Sequence, residues 1–216
     1  MKPLAIDLFC GLGGWTEGLL AEGYDVIGFD IENHVYGEHR YPAQLVIQDV
    51  LTLHGRQFKD ATLIVASPPC QAYSYRAMPW KRAKALPPPD NSLFEACFRI
   101  QREASEAAGR HIPLVVENVR GAQPWVGRSR WNFGSFHLWG DVPALMPVGG
   151  QIKVKGCNGD GWFGANNEHS LRQHNSKSPA RKRASAMVAK IPTPLSRHIA
   201  RTYLPDHSAR TSRVEP

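Results

Sequence analysis

The chain has 216 residues, 42% of them hydrophobic and 21% charged, with a formal net charge of +7. This suits one globular α/β domain, or a domain with a small appendage, and no apolar run approaches the ~18 residues of a membrane-spanning helix. The four cysteines, Cys10, Cys70, Cys97 and Cys157, form no CxxC pair, so neither a zinc site nor a disulfide framework has spacing support.

Residues 4–9 predict a strand that ends in a glycine loop. No small-residue cleavage site follows Asp7, so no signal peptide is expected, and a reducing, cytoplasmic setting is the default. Residues 14–22 predict a helix with Trp15, Leu19 and Leu20 on one side. Asp25 to Phe29 and Leu45 to Ile47 read as strands, with Asp30 and Asp49 at their ends. Leu63 to Ala66 is a continuous apolar strand of the kind buried on both faces. Ser67-Pro68-Pro69 ends it sharply. Residues 72–90 are basic and proline-rich and read as a long loop. Ser92 to Ala108 predicts a helix with a serine cap. Leu114 to Val116 predicts a fifth strand, ending at Glu117. Alternation of strand and helix points to an α/β fold with a parallel, doubly wound sheet.

Beyond Gly121, residues 122–150 read as short strands and turns, and residues 156–168 as loop. Ser185 to Lys190 and Leu195 to Tyr203 read as helical pieces split by Pro192 and Pro194. Lys and Arg fill four of the eight positions from Ser176 to Arg183, and the basic excess suits a polyanionic partner.

The strand ends carry the chemistry. The first leads into Asp7-Leu8-Phe9-Cys10-Gly11-Leu12-Gly13-Gly14, where glycines allow a tight turn and close approach to a ligand. Ligands of open α/β sheets bind at the carboxyl ends of the strands. There Asp30 could hold ribose hydroxyls and Asp49 an adenine amino group. No Gly-x-Gly-x-x-Gly or Gly-Lys-Ser/Thr loop is present, which turns the reading away from NAD and ATP. The fourth and fifth strand ends place Cys70 and Glu117 toward one crevice, beside that cofactor.

These motifs resemble those of the DNA cytosine-5 methyltransferase family. Asp7 to Gly14 matches its first motif, Pro69-Cys70-Gln71 followed by Ala72-Tyr73-Ser74 its catalytic loop, and Glu117-Asn118-Val119 a third hallmark. Together they cover roughly residues 4–121. The resemblance implies a Rossmann-like S-adenosylmethionine-dependent sheet with a small, irregular target-recognition insertion. S-adenosyl-L-methionine would contact Asp7, Phe9, Gly11, Leu12, Gly13, Gly14, Asp30, Ile31, Asp49 and Pro69. Cys70 would be the nucleophile and Glu117 the partner of cytosine N3, with Gln71 and Asn118 beside them. The chemistry needs such a pair: a thiolate added at C6 makes C5 nucleophilic enough to accept a methyl group. The substrate would be duplex DNA with its cytosine flipped out. Residues 72–90 would close over it, with Arg76, Lys81, Arg82 and Lys84 suited to phosphates.

Three features depart from the family. No glutamine precedes the arginine pair, for which Arg128 and Arg130 are the candidates. Ala189-Lys190-Ile191-Pro192 stands where a Gly-Asn turn is usual, with Leu195 to Ala200 as the candidate closing helix. Only about 40 residues, Asp141 to Ser178, are available for target recognition. They include Lys153, Lys155 and Arg172, and point to a short recognition sequence or to help from a second chain or a dimer. Cys157, His169 and His174 fall there without recognised metal spacing, so no metal is expected. The expected organisation is a catalytic core over 1–140, a reduced recognition region over 141–178, a segment returning to the core over 179–204 and a disordered tail over 205–216. Two alternatives stay open: a tRNA cytosine-5 methyltransferase using the same residues, and a non-catalytic DNA-binding or regulatory protein on this fold. Transfer of a group other than methyl also stays open.

Overall fold

The computed structural model describes residues 2–74, 87–146 and 178–205. The apolar runs become strands: β1 (Leu4–Leu8), β2 (Asp25–Asp30), β3 (Gln44–Ile47), β4 (Leu63–Ala66) and β5 (Leu114–Asn118). These five are parallel. A hairpin of β6 (Trp131–Phe133) and β7 (Phe136–Gly140) completes a seven-stranded sheet in the order β3-β2-β1-β4-β5-β7-β6. β7 runs antiparallel to both neighbours, because the two residues between Phe133 and Phe136 can join only antiparallel strands. The fold is α/β, with one antiparallel strand inside the otherwise parallel sheet.

Helices cover both faces. α1 (Gly14–Ala21) and α5 (Thr193–Thr202) lie on one, and α2 (Ser92–Ala108) on the other; a single turn, α3 (Gln123–Val126), follows β5, and α4 (Pro179–Ala189) precedes α5. Strand residues alternate between two cores. Ile6, Leu8, Ile64, Ala66 and Val116 pack with Phe94, Cys97, Ile100 and Trp139 on the α2 side. Ala5, Leu63, Val65 and Val115 pack with Trp15, Leu19, Leu195 and Ile199 on the other. Burial on both faces is why these strands read as unbroken apolar runs. Each fully buried side chain of this size contributes roughly 1.5–3 kcal/mol.

The helix ends correct two expectations. Ser92 is the first residue of α2 rather than its cap: Asn91 holds the cap position, and the Asp90 carboxylate accepts from the Ser92 N–H at 2.8 Å. The C-terminal helices start earlier than expected, at Pro179 and Thr193. Pro179 and Pro194 stand in first turns, where no N–H partner is needed, so of the two prolines expected to split the helices Pro194 opens the second one, while Pro192 does lie in the break as its N-cap. Ser178 Oγ caps α4 by accepting from Arg181 N–H at 3.2 Å.

α5 and α1 approach closely because α1 carries Gly14 and Gly18. A Cβ at Gly14 would lie 2.3 Å from Ile191 N, and one at Gly18 2.2 Å from Ser196 Oγ. Ion pairs flank the seam, Glu22 with Arg197 and Arg201 and Glu17 with Lys190. Among the described residues no helix is long and apolar enough to cross a membrane.

Candidate active site

All five parallel strands deliver their carboxyl ends to one edge. The strand order turns in opposite directions from β1 and from β4, so the crevice between those two strands is the topological switch point, where open α/β sheets bind ligands. The loop after β1 forms one wall and the loop after β4 the other. Trp15 Nε1 donates to Ser67 Oγ at 3.0 Å and ties them together.

The β1 loop is shaped by its backbone. Phe9 holds φ +57°, and Gly11 and Gly13 are also left-handed. For a residue with a Cβ, that conformation costs of the order of 1 kcal/mol or more, and such outliers gather at ligand sites. Gly11 N–H donates to Asp30 Oδ2 at 2.9 Å, fixing the loop to the end of β2. Beyond its chain neighbours, no atom of the described residues lies within 4 Å of where a Cβ on Gly11 would stand, so open space adjoins that backbone. Ile31, next to Asp30, leaves 71% of its surface exposed, an apolar wall beside the same crevice. Asp49 follows β3 by two residues and caps the next turn, its Oδ1 accepting from Leu51 N–H at 2.9 Å. An open glycine turn, a carboxylate and an exposed apolar side chain suit a nucleoside.

Beneath the loop lies a buried polar cluster. Thr16 Oγ1 donates to Asp7 Oδ2 at 2.6 Å and stands 2.7 Å from the Tyr41 hydroxyl. Asp7 Oδ1 has no hydrogen-bond partner among the described residues. Burial, helped by the nearby Asp30, pushes the Asp7 carboxyl up to about 7, against the Thr16 bond that lowers it. The Tyr41 ring fits because Gly28 is bare: a Cβ there would meet the ring at 2.3 Å. Burial would raise the Asp30 carboxyl, but His34 and the Gly11 and Glu32 amides outweigh it and hold it below the usual range.

The β4 loop is held by side chains. Asn118, fully buried at the end of β5, donates from Nδ2 to Pro68 O at 2.9 Å, and its Oδ1 accepts from Val119 N–H. Cys70 follows two residues later with φ −93° and ψ 0°, capping a short 3-10 turn over Gln71–Tyr73. Its carbonyl accepts from Ser74 Oγ at 2.8 Å and from Tyr73 N–H at 3.0 Å. The Tyr73 hydroxyl donates to Asn91 Oδ1 at 2.8 Å. Cys70 is half-buried, whereas Cys10 and Cys97 are buried and burial pushes their thiols up. Ala66 pairs with Val116 across β4 and β5, so the Cys70 loop and the buried Glu117 leave the sheet side by side.

The C-5 cytosine-specific DNA methylase family matches residues 4–124, the span that builds this edge. The chain belongs to that family. A type II methyltransferase of Desulfomicrobium norvegicum, M.DdeI, is 29% identical over 134 residues, covering 58% of this chain and 30% of the relative. Among solved structures, an Escherichia coli prophage DNA modification methyltransferase aligns with 26% identity and a TM-score of 0.40, over 58% of this chain and 35% of that one. Schizosaccharomyces pombe Dnmt2 aligns with 19% identity and a TM-score of 0.38, over 57% and 36%. The chain spans about a third of the length of these relatives.

Within this family member the motif residues occupy three neighbouring strand ends, and the candidate arginines stand two strands away, at the start of β6. Arg128 and Arg130 are exposed. Arg130 precedes the edge strand β6, and its charge acts on Tyr203, whose hydroxyl bonds Asp141 O at the far end of β7. The residue that β7 does place beside Asn118 is His137. Its Nδ1 lies 2.9 Å from Ser129 Oγ, and burial, with Arg120 nearby, lowers its pKa. His137, His34, Thr16 and Tyr41 carried no motif signal. The basic residues Arg76, Lys81, Arg82 and Lys84, the recognition residues Lys153, Lys155 and Arg172, and Cys157, His169 and His174 lie outside the described residues.

Proposed function

We propose that this chain methylates cytosine C5 in DNA, with S-adenosyl-L-methionine as the methyl donor and Cys70 as the covalent nucleophile. The carrying observation is the Asn118 Nδ2 bond to Pro68 O, which joins the strand end bearing Glu117 to the loop bearing Cys70. In this reading the Cys70 thiolate adds to C6, and the electron pair of the C5–C6 double bond moves toward C5 and the ring. Glu117 meets the charge that develops at N3. S-adenosyl-L-methionine, when bound, supplies the methyl group to C5. A base then takes the C5 proton, and the returning electron pair expels the thiolate from C6. Dividing the reaction this way avoids asking a weakly nucleophilic carbon to attack unaided.

For the cofactor, Asp30 takes the ribose diol, Ile31 lies against the adenine, and Phe9 and Gly11 to Gly14 form the floor. The open space at Gly11, the exposed Ile31 and the carboxylate at the end of β2 support this fit. The target cytosine leaves the duplex to reach Cys70, since C5 and C6 are shielded in the stack. Target recognition draws on residues 141–178, reading a short sequence, or on help from a second chain or a dimer.

The test is methyl transfer from tritiated S-adenosyl-L-methionine to mixed-sequence duplex DNA, with Cys70→Ala and an RNA substrate alongside and bisulfite sequencing of the product. Label at cytosine C5 of DNA, absent with Cys70→Ala, is the expected result. Label in RNA alone, or cofactor binding without transfer to either substrate, would overturn the reading.

A further inference from the structure

Asp30 closes β2, and the proposed function assigns its carboxylate to the ribose diol; the inference rests on that reading. An ionised carboxylate offers about four acceptor sites. Three are engaged. Oδ2 accepts from Gly11 N–H at 2.9 Å, Oδ1 accepts from Glu32 N–H at 3.3 Å, and His34 Nε2 stands 3.5 Å from Oδ1. A diol brings two O–H donors to the one site left over. The two amides belong to the backbone of the glycine loop and of the turn after β2. The imidazole belongs to a side chain and can swing away by rotamer change.

We propose that His34 is a cofactor-site residue that occupies the ribose-binding oxygen of Asp30 in the unliganded protein, and that S-adenosyl-L-methionine must displace it to bind. Cofactor affinity then depends on whether His34 carries a proton. As the imidazolium it donates from both nitrogens and bridges two carboxylates, Asp30 through Nε2 and Glu32 through Nδ1 at 3.2 Å. As the neutral ring it donates from only one nitrogen and can satisfy only one of the two carboxylates. Its other neighbours bear on the same balance. The Tyr36 ring stacks on it with centroids 6.3 Å apart, and Lys182 of α4 opposes its charge. Asp7 lies behind Asp30 and repels its charge. Asp30 is the main cause that raises the His34 pKa, against burial and Lys182. Protonation therefore favours the His34-held, cofactor-free state, and binding releases a proton.

Calorimetric titration of the full chain with S-adenosylhomocysteine, the product form of the cofactor, tests this between about pH 5.5 and pH 8.5, the window in which histidine titrates. For the wild type, affinity is expected to fall as pH falls, by up to about ten-fold per unit, the limit for one released proton. The observed heat should also vary with the ionisation enthalpy of the buffer. His34→Gln should hold the high-pH affinity across the range. Asp7 titrates in the same window and is retained in that variant, so it serves as the internal control. The same pH profile in both proteins overturns the proposal. Weaker binding by His34→Gln at every pH also overturns it, because His34 would then be a contact and not a competitor. Failure of the wild type to bind at any pH is a different result, which sinks the functional reading and this inference with it.

Discussion

The loops after β1 and β4 stand side by side at one crevice, yet they are built by opposite means. The β1 loop owes its shape to its own backbone: left-handed Phe9, Gly11 and Gly13, and one amide bond to Asp30. The β4 loop is stiffened by two prolines and anchored by side chains from distant segments, Trp15 on Ser67, Asn118 on Pro68 and Asn91 on Tyr73. A loop of the first kind can yield to the shape of a ligand. A loop of the second kind holds a reacting atom in place, as covalent chemistry requires. Substitutions in the two loops should therefore separate into losses of cofactor affinity and losses of turnover.

The largest effect is expected at Cys70. Cys70→Ala should lower methyl transfer by on the order of 10³-fold or more, with S-adenosylhomocysteine affinity unchanged in the same preparation. Next comes the anchor. Asn118→Ala leaves Pro68 O without its donor and should lower kcat by about 10²-fold through misplacement of the thiol. Loss of cofactor affinity with kcat intact would break the comparison. On the other wall, Gly13→Ala forces an alanine to φ +75° with its Cβ 2.4 Å from Pro42 Cδ. That should cost about 1–2 kcal/mol, read as a roughly ten-fold weaker cofactor Kd with kcat at saturation largely kept.

The buried Asp7 sharpens the comparison through pH. Its folded pKa of about 7 exceeds the ordinary carboxylate value of 3.8. The folded state therefore binds more protons than the unfolded state between those values. Asp7 should make stability fall as pH rises from about 4 to about 7, by up to about 1.4 kcal/mol per pH unit, and add no further change above that. Urea midpoints across this range should show the slope, and Asp7→Asn should flatten it. The smallest effect belongs to the surface pins of α5. Glu22→Gln should lower Tm slightly in low salt and hardly at all in high salt, since its arginine partners face solvent.

The central parallel strands β1, β4 and β5 were legible because both their faces are buried, which leaves an apolar run with an acidic or polar residue at its end. The strand ends bearing Asp30, Asp49, Cys70 and Glu117 followed from that pattern. The β6–β7 hairpin was legible only as short strands and turns, since three- and five-residue strands carry little periodicity. The proline-led starts of α4 and α5 were misread because proline marks both helix openings and helix breaks. Asn118 on Pro68, Trp15 on Ser67 and Tyr41 beneath Gly28 join residues 13 to 52 positions apart. Only the lateral order of the strands brings them together, and no local spacing encodes it. The arginine pair was assigned by its place in the chain, and both arginines are exposed.

The seam between α1 and α5 has a consequence for synthesis. Tyr24 bonds Ala200 O across 176 positions, and Gly14 and Gly18 lie against Ile191 and Ser196. A ribosome adding about 5–20 residues per second completes Leu19, Leu63 and Val65 on the order of ten seconds before their covering helix emerges. During that interval one face of the young sheet is an apolar surface open to other nascent chains. Closure of such distant pairs is also intrinsically slow. The helix that follows β1 is thus made well before the helix it packs against.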